Sequence, residues 1–282
     1  MIIDFHTHTF PDNIAKTTIP KLAKAGNIMY FSDGTKNELI SSMKEAQIDY
    51  SVVVPIATKP SQSETINAIA AKTNETSDKT GIISFGSVHP DNDNYKEIIK
   101  QAYELGIKGI KLHPYYQQFV PDDERIIRIV DTIENYGMMT IFHAGLDIGF
   151  DDENLGSPIA FRKLYDTIQP KNLILAHMGG WRSWDEVEEY LVGLPIYFDL
   201  SFSLGKIISY VENSRNDEES KQMSDEQFHR MVKNHGADKI LFGTDSPWNN
   251  QKDYLSYVRN IGLSKDELKM ILGDNAKKLL NL

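Results

Sequence analysis

A single-domain α/β protein, a (β/α)8 TIM barrel, is the fold class this sequence predicts. Three observations carry that reading. Eight short apolar runs recur along the whole chain. Segments of helical periodicity separate them, which implies parallel strands joined by right-handed crossovers. The length of 282 residues matches the roughly 250 at which such a barrel closes. An open, doubly wound sheet is the rival architecture.

The strand runs are residues 2–8, 51–56, 82–88, 107–113, 138–143, 173–177, 196–200 and 240–245. They are rich in Ile, Val, Leu and Phe and bounded by Gly or Pro, as strands buried on both faces are. The helices between them are marked by their ends. Thr35 and Glu38 form a capping-box pair ahead of Leu39, Ile40 and Met43. Tyr95, Ile98, Ile99, Ala102 and Leu105 make one apolar face that stops at Gly106. Pro121 opens a segment with Ile126, Ile127, Val130 and Ile133 inward, closed by Gly137. Ser157 precedes Pro158 as an N-cap before a first-turn proline. Ser183 with Glu186, Ser224 with Gln227 and Ser264 with Glu267 mark three more helix starts. Two connections exceed the usual length, residues 9–34 and 203–223. Both follow strand C-termini, where a barrel keeps its site, and each reads as a lid or substrate loop, the second equally as a solvated insertion. One domain spanning 1–282 with these two insertions is expected.

Composition narrows the function classes. Thirty basic against forty acidic side chains give a formal net charge of −10, unfavourable for binding nucleic acid or an anionic membrane. There are no cysteines, which excludes disulfides, thiolate metal sites and cysteine nucleophiles. No apolar run has the length of a membrane span, and no basic leader or small-residue cleavage site is read near Met1. A cytoplasmic location is the expectation.

The chemistry gathers at strand ends. His6 and His8 are i and i+2 on the first strand, so both imidazoles face one side. His143 ends the fifth strand, His177 the sixth, and Asp245 the eighth. Four of eight strands therefore finish in a potential metal ligand, all on one rim. Lys111 and His113 share a face near the end of the fourth.

The first-strand HxH, the single His on the fifth and sixth strands and the Gly243-Thr244-Asp245-Ser246-Pro247-Trp248 run resemble the amidohydrolase superfamily. The GIKLHP run around Lys111 and the tail from Gly273 to Leu280 look like its amidohydrolase-2 branch, which includes aminocarboxymuconate-semialdehyde decarboxylase-like proteins. The resemblance runs from residue 2 to about 281. It implies that His6, His8, His143 and Asp245 hold one divalent metal, most often zinc, and three imidazoles with a carboxylate suit such an ion. It leaves His177 as acid/base or as ligand to a second ion, and Asp245 as both ligand and proton acceptor. Lys111 is either a carboxylated bridge between two metals or a contact for Asp245 or a substrate anion. His113 either touches substrate or serves structurally before Pro114.

Arg182 is read as a clamp for a substrate carboxylate or as a partner of Asp185. Trp248, with Trp181, Trp184, Phe10, Tyr115 and Tyr116, either walls the substrate or packs the core. His89 reads as a turn residue, and His229 and His235 as ordinary helix residues. The resulting expectation is a metal-dependent hydrolase acting on a small organic substrate, a carboxylate among the choices. Non-oxidative decarboxylation at the same site is the alternative, and a non-catalytic metal-binding barrel a further one. A deoxyribonuclease of the TatD type disagrees with Lys111, where such relatives carry Glu. A homodimer is expected from the resemblance.

Overall fold

A computed structural model describes residues 1–150 and 154–282. Among these residues nine short strands alternate with helices: β1 (Ile3–Thr7), β2 (Tyr50–Val53), β3 (Ile82–Ser84), β4 (Gly86–Ser87), β5 (Gly109–Leu112), β6 (Met139–Phe142), β7 (Leu173–Leu175), β8 (Tyr197–Asp199) and β9 (Ile240–Leu241). All neighbours pair in parallel, in the orders β1-β2-β3 and β4 through β9. β3 and β4 are the two halves of the third predicted strand, interrupted at Phe85, so the staves number eight.

Two seams close the cylinder. The Phe85 N–H donates to the Val53 carbonyl at 2.9 Å, carrying the sheet across the break. On the other side Phe5 N–H reaches Phe242 O, Asp245 N–H reaches His6 O, and His8 N–H reaches Ser246 O, all at 2.7–2.8 Å. The eighth predicted strand is thus regular only over Ile240–Leu241, and its remainder continues the ladder toward the mouth.

Side chains sort into two cores by the period-2 rule of strands. Val52, Ile83, Phe85, Ile141, Ile174 and Leu241 form a small inner cluster. Their sequence neighbours Val53, Ile82, Phe142, Leu173, Leu175 and Ile240 join the larger layer between strands and helices. Gly109 is required here, because a Cβ would lie 2.3 Å from the Phe85 ring that fills the barrel.

Helix starts follow the caps in part. Thr35, Ser224 and Ser264 accept the expected backbone N–H groups. Ser183 and Ser157 make no side-chain cap, although Pro158 does open its helix. The segment expected from Pro121 begins instead at Glu124, where the Asp123 carboxylate accepts the Arg125 N–H.

The first long connection contains a helix, Asp12–Gly26. The second holds only the short turn Asp217–Ser220. The two insertions fasten to each other beside the barrel mouth. Met29 N–H donates to Ile208 O at 2.7 Å, the Arg215 guanidinium to Gly26 O at 2.7 Å, and Tyr30 stacks on Tyr210. No helix among the described residues is long and apolar enough to cross a membrane.

Candidate metal centre

The donors sit where strands end, and local irregularities aim them. The register of β1 against β2 shifts between Asp4 and Thr7. Before the shift Ile3 and Phe5 belong to the inner core, while Asp4 faces Thr244, Gln251 and the outer layer. After it His6 and His8 turn into the mouth, the re-aiming that a bulge provides. His177 (φ 58°) and Asp245 (φ 64°) are both left-handed. That conformation costs about 1–3 kcal/mol in a non-glycine residue and needs its surroundings to hold it. Trp184 Nε1–H on the His177 carbonyl at 3.1 Å and Met178 N–H on Asp199 O at 2.7 Å do so after β7.

His6 Nδ1 lies 2.8 Å from Asp199 Oδ2. A carboxylate only accepts, so Nδ1 carries the proton and Nε2 presents its lone pair. That Nε2 lies 3.5 Å from Asp245 Oδ1, and His8 Nε2 lies 3.0 Å from the same oxygen. His6, His8 and Asp245 thus bring three donor atoms within 4.8 Å of one another. A second such group is His113, His143 and Asp147.

His177 stands between the groups, its ring centroid 5.4 Å from that of His6 and 4.7 Å from that of His143. Its Nδ1 lies 2.8 Å from the Ser201 carbonyl, and His143 Nε2 lies 3.0 Å from the Leu146 carbonyl. Each carbonyl demands an N–H. The remaining nitrogens, His143 Nδ1 and His177 Nε2, face each other at 3.0 Å, a hydrogen bond only where one ring carries a second proton and otherwise two lone pairs open to a cation. The donor set fits a divalent ion: imidazole nitrogens converging beside a carboxylate. The structure places His143 in the second group, one ring along from His6, His8 and Asp245.

The electrostatics agree. Burial pushes His6 down to about 4, with Lys111 adding to it, so the ring stays neutral. Burial, then Lys111, His177 and His8, hold His113 well below the usual imidazole value, and burial, then His113, His177 and Lys111, do the same for His143. Burial alone would raise Asp245. The His8 hydrogen bond and the nearby His6, His8 and His177 outweigh it and hold the carboxyl ionised. Asp199 behaves likewise, ending at about 2 because His6, His177 and Ser201 outweigh its burial. Lys111 is 1% exposed, and burial brings its ammonium down to about 8 against the pull of Asp199, Asp245 and Asp147.

One cavity of about 1080 Å³ opens on these groups, lined by His6, His8, Lys111, His113, His143, His177 and Asp245. Phe10, Tyr116, Trp181 and Trp248 also line it. Tyr115 and Trp184 are packed in the protein instead. Arg182 is absent from the lining among the described residues. Its guanidinium lies over the Trp181 ring and donates to Glu219 O at 2.7 Å, while Asp185 accepts from Gln227. The ring face and carbonyl hold Arg182 outside the cavity, so the structure gives it no place as a substrate clamp. His89 sits in a turn, its N–H bound to Ser63 Oγ, and His229 Nε2 meets the Ile261 carbonyl.

Sequence reading missed Asp199, Ser201 and Asp147. Asp199 left a signal, a lone acid inside the apolar run 196–200, since an acid is rarely fully buried without a partner. Asp147 left none, because it reaches His113 and His143 from a loop.

A parallel barrel with imidazole and carboxylate donors at its C-terminal rim defines the class of metal-site TIM barrels. Within that class the sequence profile of the amidohydrolase family Amidohydro_2 matches residues 3–282, and the chain belongs to that family. No curated protein matches it. Among solved structures it is similar to an uncharacterized TIM-barrel protein from Bordetella bronchiseptica (18% identity, TM-score 0.77, covering 99% of this chain and 98% of that one). It is similar to the 5-carboxyvanillate decarboxylase of Sphingomonas paucimobilis (14%, TM-score 0.70, 100% and 99%). A third is a probable 2-pyrone-4,6-dicarboxylic acid hydrolase from Acinetobacter baumannii, with citric acid bound (14%, TM-score 0.66, 100% and 99%). Likeness at these identities carries the fold alone.

Proposed function

We propose that this chain is a metal-dependent hydrolase acting on a small organic substrate, with His6, His8, His143 and Asp245 holding one zinc ion. The observation that carries this reading is the convergence of His6 Nε2 and His8 Nε2 on one oxygen of the ionised Asp245 inside one cavity. When bound, a divalent ion supplies Lewis acidity to a substrate carbonyl and makes water more acidic.

The protein's own groups do the rest. Asp199 keeps the His6 proton on Nδ1, so that Nε2 is free to coordinate. Asp245 is ionised at neutral pH and takes up a proton from the attacking water. Its left-handed backbone, tied by N–H to His6 O, keeps the carboxylate at the mouth. His177, fixed by the Ser201 carbonyl at Nδ1, turns Nε2 inward as an acceptor, where it would take up the proton that Asp245 removes from water and pass it on to the leaving group. Lys111 and His113 line the same cavity and face the polar part of the substrate, a carboxylate being the group Lys111 suits.

A second reading, non-oxidative decarboxylation, is favoured by Lys111, a buried cation positioned to meet a substrate carboxylate, and by the decarboxylase among the structural neighbours. There the same acid, His177, delivers the proton to the substrate carbon that loses carbon dioxide.

Turnover of ring carboxylates, lactones and amides by metal-analysed protein in ¹⁸O-labelled water tests both. Label in the product and one zinc per chain support the hydrolase. Carbon dioxide released without label uptake into the product transfers the assignment to the lyase. No turnover and no bound metal would sink both.

A further inference from the structure

The cavity is larger than its polar end needs. At about 1080 Å³ it exceeds the roughly 300–1,000 Å³ of ordinary small-ligand pockets, and a single-ring acid at the donors leaves most of it unfilled. Part of the surplus is lined by Pro55 and Ile56 and by residues of the helices Asp12–Gly26 and Ser63–Asn74, an arm apart from the histidines.

Both helices line this arm with aliphatic side chains, with Thr18, Thr65 and Thr73 interspersed. Ile14, Thr18 and Leu22 stand four residues apart on the first, next to the stripe Ala15, Ile19 and Ala23 that packs into the protein. Ile66, Ile69 and Ala70 stand on one face of the second. Ile14 is 41% and Ile69 51% exposed, so each helix leaves a large aliphatic side chain unburied where it meets the cavity. Along the arm the charged lining side chains are Asp12 and Lys36, and Lys36 is engaged with Thr76 Oγ1 at 3.4 Å. From Ile14 to Leu22 the stripe spans about 12 Å of helix axis. That matches an extended alkyl chain of medium length and exceeds any single ring.

We propose that this arm binds an aliphatic tail of the substrate, whose carboxylate or carbonyl head faces His6, His8, Asp245 and Lys111. The substrate class is then an amphiphile, such as an acyl compound or an alkyl-substituted ring acid, and helix Asp12–Gly26 is the specificity element. The placement of the head rests on the function proposed above. The tail site rests on the arm alone.

The test uses the full-length chain loaded with zinc and straight-chain carboxylates from acetate to dodecanoate, with affinity read by calorimetry. Affinity should rise by up to about fourfold per added methylene, the effect of burying one CH₂ group, and level off when the arm is full. Ile14→Arg and Ile69→Arg alter positions already open to the cavity, so the fold tolerates them. They should abolish the length dependence, weakening decanoate at least tenfold while acetate binds as before, and Ile69→Leu should restore it. Equal affinity for all chain lengths overturns the proposal, whether or not zinc binds. So does an arm closed by a second copy of the chain, seen as a dimer that Ile69→Arg dissociates and that binds no long acid. A length dependence that persists without zinc leaves the tail site standing and removes the head-group reading.

Discussion

The two donor groups of the cavity differ in how they are held. In the first, His6 is fixed by a fully buried carboxylate. Asp199 itself takes N–H groups from His177 and Ser201 and a hydrogen bond from the Ser201 hydroxyl. His6, His8 and Asp245 come from two adjoining strands hydrogen-bonded to each other. In the second, His113 and His143 stack face to face at 4.2 Å, and Asp147 stands 3.4 and 3.8 Å from their Nε2 atoms, beyond good hydrogen-bond distance. His113 Nδ1 is buried with no partner among the described residues. In the first group its hydrogen-bond partners set the donor geometry before anything arrives, as the metal site proposed above requires. In the function proposed above the second lends His143 to the same ion, and its His113 keeps an open Nδ1 that suits recognition of a polar substrate atom.

Removing a donor of the first group should have the largest effect. Asp245→Ala is expected to cut zinc content from one ion per chain to under a tenth and to lower turnover more than 100-fold. A direct ligand must cost at least what its outer partners do, about 10–100-fold. Plasma emission analysis of the purified variant checks the metal. Full zinc content in that variant would place the ion elsewhere.

The next effect tests the buried support. Asp199→Asn keeps the shape but removes the acceptor that fixes the His6 tautomer, and should weaken zinc by about 10–100-fold in a chelator competition. Asp147→Asn, the matching change in the second group, should alter zinc affinity less than threefold and act on KM for substrate instead. Two ions per chain, one of them lost in Asp147→Asn, would erase the distinction between the groups and bring Lys111 in as their bridge.

This contrast also marks what the residue string reveals. The eight staves were legible because a strand buried on both faces is written in uninterrupted Ile, Val, Leu and Phe. The donors His6, His8, His143, His177 and Asp245 were legible because polar residues at the ends of such runs stand out. The bulge in β1 was not legible. Alternation alone assigns Ile3, Phe5 and Thr7 to one face and Asp4, His6 and His8 to the other, whereas the register shift gives Phe5 and His6 both to the interior. Nor was the role of residues 9–34, read as a loop although they hold the helix Asp12–Gly26. Its apolar stripe is interrupted by Thr17, Thr18 and Pro20, and only the facing helix Ser63–Asn74 shows which side matters. Asp147 and the turning of Arg182 onto Trp181 depend on loop paths that no local pattern specifies.

The smallest effect separates a packed histidine from those at the mouth. His235 is buried like His6, but nothing in its surroundings is prepared for a cation. Its Nε2 donates to Ile196 O at 3.0 Å, its Nδ1 accepts the Gly193 N–H at 3.1 Å, and its ring stacks on Phe198. Burial pushes it down from 6.5 to about 4. The unfolded chain therefore takes up a proton between pH 6.5 and 4 that the folded chain refuses. The stabilisation this group provides is complete above 6.5, falls as pH drops through that window, and is gone near 4. From pH 7 to 5 the loss is about 2 kcal/mol, from roughly 1.4 kcal/mol per pK unit. His235→Gln keeps a donor and an acceptor without the titration. Urea unfolding at pH 7 and 5 should show a smaller drop for the variant by about that amount, with zinc content and turnover unchanged. An equal drop in both proteins would mean that His235 is already protonated in its packed site, and that burial alone does not keep an imidazole neutral in this barrel.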